Sequence, residues 1–305
     1  MNKMLKKFHS ATCLKIAALF CALISICLLT SCVDQSGPST EKAVEGNNAR
    51  LIATSSATAD ICDRLNLDLV GVCETEKDLP GRYADLPRVG MAMNPDLEVI
   101  KSLNPDYILS PVTLKNDLEP KYQTIGTEYI FLDLRSVKGM YASIDELGKK
   151  FGHEKEAKEL NDEFDAFMKE YEGKNKDKEK PRVLVLMGLP GSYIVATENS
   201  YVGSLVELAG GENVFAGTDE EFLTVNSEDL KTKEPDVIVR AAHAMPEDVK
   251  QMFADEFKDN QIWKHFKAVQ DGRVYDLDSR YFNMSATFGY KKALEMLQPM
   301  LYGEE

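Results

Sequence analysis

Two thirteen-residue stretches constrain this 305-residue chain more than any other feature: LEVIKSLNPDYIL at 97–109 and SEDLKTKEPDVIV at 227–239. Each places a Glu seven residues before a Pro, Glu98 before Pro105 and Glu228 before Pro235, and each continues through Pro-Asp into an apolar run. Proline lacks an N–H and clashes inside a helix, so each copy predicts a helix ending at the proline and a strand following it. An internal duplication of an αβ unit accounts for the match. The glutamates are then either solvated positions carried along with it or a matched pair of surface contacts.

Short runs rich in Val, Ile and Leu recur at 51–54, 69–72, 107–110, 129–132, 182–187, 193–196, 236–240 and 273–277, with helical patterns between them. That alternation predicts an α/β fold whose mainly parallel sheets are covered on both faces. Between 132 and 182 no strand signal occurs. There Ala157, Leu160, Phe164, Phe167 and Tyr171 recur at spacings of three and four among charged residues, the mark of one long amphipathic helix. The expected organisation is an N-terminal α/β lobe at 48–135, a connecting helical segment at 136–180 and a C-terminal α/β lobe at 181–305. A helix joining the lobes makes a stiff hinge, unsuited to wide closure.

Residues 1–31 read as an export signal: Lys3, Lys6, Lys7 and Lys15 precede the apolar run IAALFCALISICLL, and the segment ends in LTSC at Cys32. LTSC resembles the bacterial lipobox, which implies that Cys32 becomes the first mature residue and carries the lipid. Residues 32–47 are polar, with Gly, Ser and Glu, and suit a flexible tether. The body is therefore expected outside the membrane, held to the bilayer by acyl chains, of which stable anchoring needs at least two. The whole chain has a formal charge of −14 and the signal contributes four lysines and no acid, leaving −18 on the mature part, which repels nucleic acid. Cys62 and Cys73 are too few for a disulfide scaffold and have no zinc spacing. They read as two buried thiols or as one disulfide.

The stretch RVGMAMNPDLEVIKSLNPDYILSP at 88–111 sets Met91 and Met93 just ahead of the first duplicated helix. A thioether there either fills an apolar gap or acts as a soft ligand, and the second role needs a partner elsewhere in the chain. His153 in FGHEKEAKEL and His265 in WKHFKAV lie in charged helical sequence and are expected to be exposed. No GxSxG, HExxH or P-loop pattern is present, so no enzyme is expected.

The lipobox, the duplicated Glu and Pro-Asp pattern, the two α/β lobes and the connecting helix resemble the helical-backbone (class III) substrate-binding proteins of ABC transporters, which capture siderophores, cobalamin or haem. Within that class RYADLPRVGMAMNPDLEVIKSLNP, VLVLMGLPGSYIVATENSYVGSLVELAGGENV, HAMPEDVKQMFADEFKDNQIWKHFKAV and VYDLD are similar to the haem-binding lipoproteins of Gram-positive iron-regulated surface-determinant systems, the IsdE-like family. The resemblance spans nearly the whole mature chain.

It implies one haem b per chain, held between the lobes by a Met and a His on opposite faces of the iron. The matching positions are Met93, two before Pro95, and His243, just before MPE. It also implies delivery to a permease and its ATPase with Glu98 and Glu228 docking on permease arginines, cell-surface haem donors, and a lipid-anchored place on the extracytoplasmic face of a Gram-positive cell membrane. Met91 departs from the Lys-Pro that more often precedes the family's ligand Met. Met245 is expected to pack at the start of a helix near Pro246. With both axial positions filled no site is open to dioxygen, which suits carriage. The turns at Ser55 and Ser56 and at Gly191, Ser192 and Tyr193, together with Arg240 and Arg280, are candidates for the haem propionates. A ferric siderophore or cobalamin binder would share the fold, the anchor and the docking glutamates.

Overall fold

Strand periodicity decides the architecture. In β1 (Leu51–Ala53) Leu51 and Ala53 enter one hydrophobic cluster while Ile52 enters another, because successive strand residues point to opposite faces. Both faces are covered, so the strand is apolar throughout. The computed structural model describes residues 48–303, which lie in one compact unit; the signal, Cys32 and the tether lie outside the described residues.

After β1 come α1 (Ser56–Arg64), β2 (Leu69–Val72), a hairpin of β3 (Gly90–Met91) and β4 (Asn94–Pro95), α2 (Leu97–Ser102), β5 (Tyr107–Pro111), α3 (Lys115–Ile125) and β6 (Glu128–Leu132). Their sheet has the order β2-β1-β5-β6 and is parallel throughout. Two helices follow, α4 (Val137–Phe151) and α5 (Glu154–Asn175). Then β7 (Arg182–Leu189), β8 (Ser192–Ala196), α6 (Tyr201–Leu208), β9 (Glu212–Asn213), β10 (Phe222–Leu223), α7 (Ser227–Lys231), β11 (Val237–Ala242), α8 (Pro246–Asp259), α9 (Lys267–Gln270), β12 (Val274–Asp276) and α10 (Tyr290–Tyr302) complete the chain. The second sheet runs β10-β8-β7-β11-β12, with β9 also on β7. Its β7, β11 and β12 are parallel, and β8 and β10 are antiparallel additions. The structure is thus the expected α/β arrangement of two mainly parallel sheets.

The duplication survives in hydrogen-bond detail. Asp96 Oδ1 accepts the N–H groups of Glu98 and Val99, both at 3.0 Å, and Asn226 Oδ1 accepts those of Glu228 at 2.9 Å and Asp229 at 3.0 Å. Each Pro-Asp carboxylate then accepts the backbone N–H of an arginine at the start of the neighbouring parallel strand, Arg50 to Asp106 at 2.9 Å and Arg182 to Asp236 at 2.8 Å. The Pro-Asp pair therefore ends a helix and also fixes the register in which the next strand begins.

The expected long amphipathic helix between the sheets is present, and a second helix precedes it. α5 carries the Ala157 to Tyr171 stripe, and α4 precedes it as a separate element. Gly152, left-handed at φ 77°, closes α4 by donating its N–H to the Gly148 carbonyl, so the chain turns back on itself. One face of each sheet joins α4, α5 and α10 in a shared cluster. Tyr141 stacks on Phe164 with centroids 4.4 Å apart, the Tyr171 hydroxyl donates to the Leu294 carbonyl at 2.8 Å, and the Ala286 N–H reaches the Leu134 carbonyl at 2.7 Å. The two halves share one core, so a wide hinge motion would have to break it open.

Candidate functional site

Open α/β sheets bind ligands beyond the carboxyl ends of their strands, and Met93 and His243 lie outside the main strands, on a hairpin turn and a loop. Beyond β2, the segment around Arg88 runs parallel to it: Val89 N–H donates to Val72 O at 3.0 Å and Glu74 N–H to Gly90 O at 2.8 Å. The β3–β4 hairpin projects from this edge, with Met91 paired to Asn94 and Ala92 and Met93 at its turn. Gly90 permits the tight entry. Its φ is 85°, and a Cβ there would lie 2.9 Å from the Asp96 backbone nitrogen.

On the second sheet, β11 ends at Ala242 and His243 follows it. The His243 N–H donates to Gly188 O near the end of β7 at 3.0 Å, which fixes the backbone, while its side chain is exposed. Met245, two residues on, has the left-handed φ of 46° and stands immediately before α8, which starts at Pro246. The sequence places the helix start correctly but not the side chain: Met245 does not pack. It is 57% exposed, and the large exposed hydrophobic side chains among the described residues are Met91, Met93 and Met245. That concentration of exposed thioethers beside the expected ligand positions is invisible to sequence periodicity, which measures only faces of helices and strands.

The propionate candidates divide. Gly191, left-handed at φ 79°, is exposed in the two-residue turn between β7 and β8, and Ser192, also exposed, opens β8 opposite Leu189. Ser55 caps α1 by accepting the Thr58 N–H at 3.2 Å, and Ser56 opens that helix, half-buried. Tyr193 is engaged elsewhere: its hydroxyl donates to Glu256 Oε1, which also takes the Trp263 indole N–H, and burial pushes the phenol up to about 12. Arg240 is held by two 2.7 Å bonds to Asp276 and lies over the Phe257 ring at 4.7 Å. Arg280 pairs with Asp278, whose carboxyl it holds below its usual range. These three are engaged by carboxylates of the chain itself.

His265 is exposed, as expected, but His153 is buried. His153 stands in a tight αα turn: Gly148 lets α5 approach so closely that a Cβ there would meet Ala157 at 2.6 Å and the His153 carbonyl oxygen at 3.0 Å. Cys62 and Cys73 are free thiols, both buried, with pKa values pushed up by desolvation to about 12 and about 11. Glu98 and Glu228 are exposed in the first turns of α2 and α7.

A family profile for periplasmic binding proteins matches residues 51–281. The high-affinity heme uptake system protein IsdE of Staphylococcus aureus is 43% identical over 284 residues, 93% of this chain and 96% of that protein. An ABC transporter substrate-binding protein from Listeria monocytogenes EGD-e superposes with a TM-score of 0.80 at 45% identity, covering 84% of this chain and 99% of that one. The crystal structure of S. aureus IsdE complexed with heme superposes at 0.78 and 43% identity, covering 83% of this chain and 99% of that one.

Proposed function

The chain belongs to the periplasmic binding protein family, and from that premise we propose that it captures one haem b on the extracytoplasmic face of a Gram-positive membrane and delivers it to an ABC permease. Met93 and His243 are the axial ligands, and Cys32 carries the acyl anchor. Glu98 and Glu228 dock on the permease, which its ATPase drives, and cell-surface proteins supply the haem.

The observation that carries the reading is the exposure of Met93. An apolar side chain 65% open to solvent at a sheet's ligand-binding edge loses hydrophobic free energy unless something covers it. Haem would do so: it is a flat apolar disc whose faces need cover and whose iron accepts one ligand from each side. Imidazole is a strong donor and thioether a soft one, a pair that raises the iron's potential relative to electron-transfer haems with two imidazoles. Gly191 in the turn and the adjoining Ser192 at the start of β8 are best suited to receive a propionate, since their polar groups have no competing side-chain partner of the Tyr193 kind.

Titration of residues 48–305 with haemin, followed by absorption in both oxidation states, tests the proposal. A one-to-one complex that is six-coordinate and low-spin is expected. A five-coordinate, high-spin complex would remove the thioether from the iron, and absence of uptake would remove haem altogether.

A further inference from the structure

The three exposed methionines stand out against the other methionines among the described residues. Met140, Met168 and Met187 are buried, and Met252, Met284, Met296 and Met300 pack against the hydrophobic clusters. Met91 is 59% exposed and Met93 65%, so the chain leaves two thioethers unpacked on the same four-residue turn. Two residues of chain span at most about 7 Å. Met is unbranched with three rotatable bonds, so the two backbone positions are close enough for either side chain's reach to include a common point.

The backbone also leaves both side chains free to do this. Met91 sits at the end of β3 opposite Asn94, an exposed residue, and its strand has no partner other than β4. Anchoring is confined to the base of the hairpin, where Asp96 N–H donates to Val89 O at 2.7 Å and Glu74 N–H to Gly90 O. Packing at residue 91 would have fixed its sulfur, and a polar residue would have served an exposed strand end better; neither is found.

Resting on the haem reading of this site, we propose that Met91 is a second thioether ligand, able to take the axial position of Met93 on the same face of the iron. The exchange breaks one iron–sulfur dative bond and forms another of the same kind, with no change of oxidation state and no proton moved. The thioether side of the cargo is thereby degenerate, whereas His243 is single.

Substitution by leucine tests this, since it keeps the side chain's bulk and removes only the sulfur. The full chain in mild detergent, as parent, Met91→Leu, Met93→Leu and the double variant, would be loaded with haemin. Absorption and near-infrared magnetic circular dichroism would follow the sulfur-to-iron band. Met91→Leu should match the parent. Met93→Leu should stay six-coordinate and low-spin with the sulfur band retained, and only the double variant should lose that band. If Met93→Leu already loses it, the inference is overturned while the ligand role of Met93 stands. If the double variant keeps it, the hairpin is not the source of sulfur and both ideas fall. Far-ultraviolet circular dichroism confirms folding of each variant.

Discussion

The two short helices that present Glu98 and Glu228 stand or fall on their caps, and this gives a quantitative test. α2 has six residues and α7 five, lengths at which an isolated helix has no stability of its own. Each has one side chain satisfying two of its first N–H groups, Asp96 and Asn226. Replacing such a cap by alanine costs about 1 kcal/mol, and the charge of Asp96 near its helix start adds about 0.3–1 kcal/mol at low salt. Asp96→Ala is therefore expected to destabilise by about 1.5 kcal/mol, Asn226→Ala by about 1 kcal/mol, and Asp96→Asn by about 0.5 kcal/mol, since Asn caps as well as Asp and only the charge is lost. The sites share no partner, so the double alanine variant should lose about 2.5 kcal/mol, a fall of roughly 5–10 °C in Tm for a domain of this size. Calorimetry on residues 48–305 measures this, and amide exchange in 97–102 and 227–231 locates it. Both alanine variants should keep the parent haem spectrum and lose affinity for the permease. Equal stability of Asp96→Ala and Asp96→Asn would refute the capping argument, and a changed haem spectrum would refute the separation of docking from binding.

Three further outcomes follow from the geometry. His243→Ala should lose ferric haem to a competing apoprotein much faster than the parent and suffer less in the ferrous form, because the remaining thioether prefers reduced iron, while His265→Ala should match the parent in both; the reverse result would move the ligand to residue 265. Gly203→Ala in α6 would set a Cβ 1.8 Å from the Thr197 carbonyl oxygen, and a backbone shift of that kind should cost about 3 kcal/mol in urea denaturation; a loss under about 1 kcal/mol would show that the turn can yield. Burial raises the Asp60 carboxyl from 3.8 to about 6, so the folded state holds its proton more tightly and stability falls as pH rises from about 4 to 6. Asp60→Asn should be neutral at pH 3 and stabilising by about 1 kcal/mol at pH 7, after a discount for partial exposure, and a gain at pH 3 equal to that at pH 7 would refute the linkage.

The class of fold was legible because its cause is local. Packed strands are rich in apolar residues, and all eight apolar runs became strands, with Pro-Asp marking where two of them, β5 and β11, begin. The stripe that marked α5 begins at Ala157, beyond the turn at Gly152, so it did not reveal α4 as a separate helix, and a glycine inside a helical pattern is weak evidence of a break until its φ is known. His153 misled for a related reason: charged neighbours along a helix describe its outer face, whereas burial at a turn depends on the helix packed against it. Arg240, Arg280 and Tyr193 show the limit at the site itself. Residue type told that each could meet a carboxylate, and the carboxylates it meets are Asp276, Asp278 and Glu256, two of them far away in sequence from their partners.

On the proposed function, docking and cargo contacts are arranged unequally in the two halves. Glu98 lies five residues beyond Met93 on one continuous segment, with Asp96 both capping α2 and tying the hairpin base to Val89. Glu228 lies fifteen residues before His243, and all of β11 intervenes, hydrogen-bonded to β7 on one side and β12 on the other. A pull on Glu98 is therefore passed to a hairpin held only at its base, while a pull on Glu228 is spread over a sheet. The ligand on the hairpin is also the weaker one for ferric iron, since soft sulfur prefers the reduced metal. Mechanical compliance and chemical lability thus fall on the same side of the disc. If Met93 and His243 hold the iron as proposed, the bond that a docked permease would strain first is also the one that costs least to break in the ferric state.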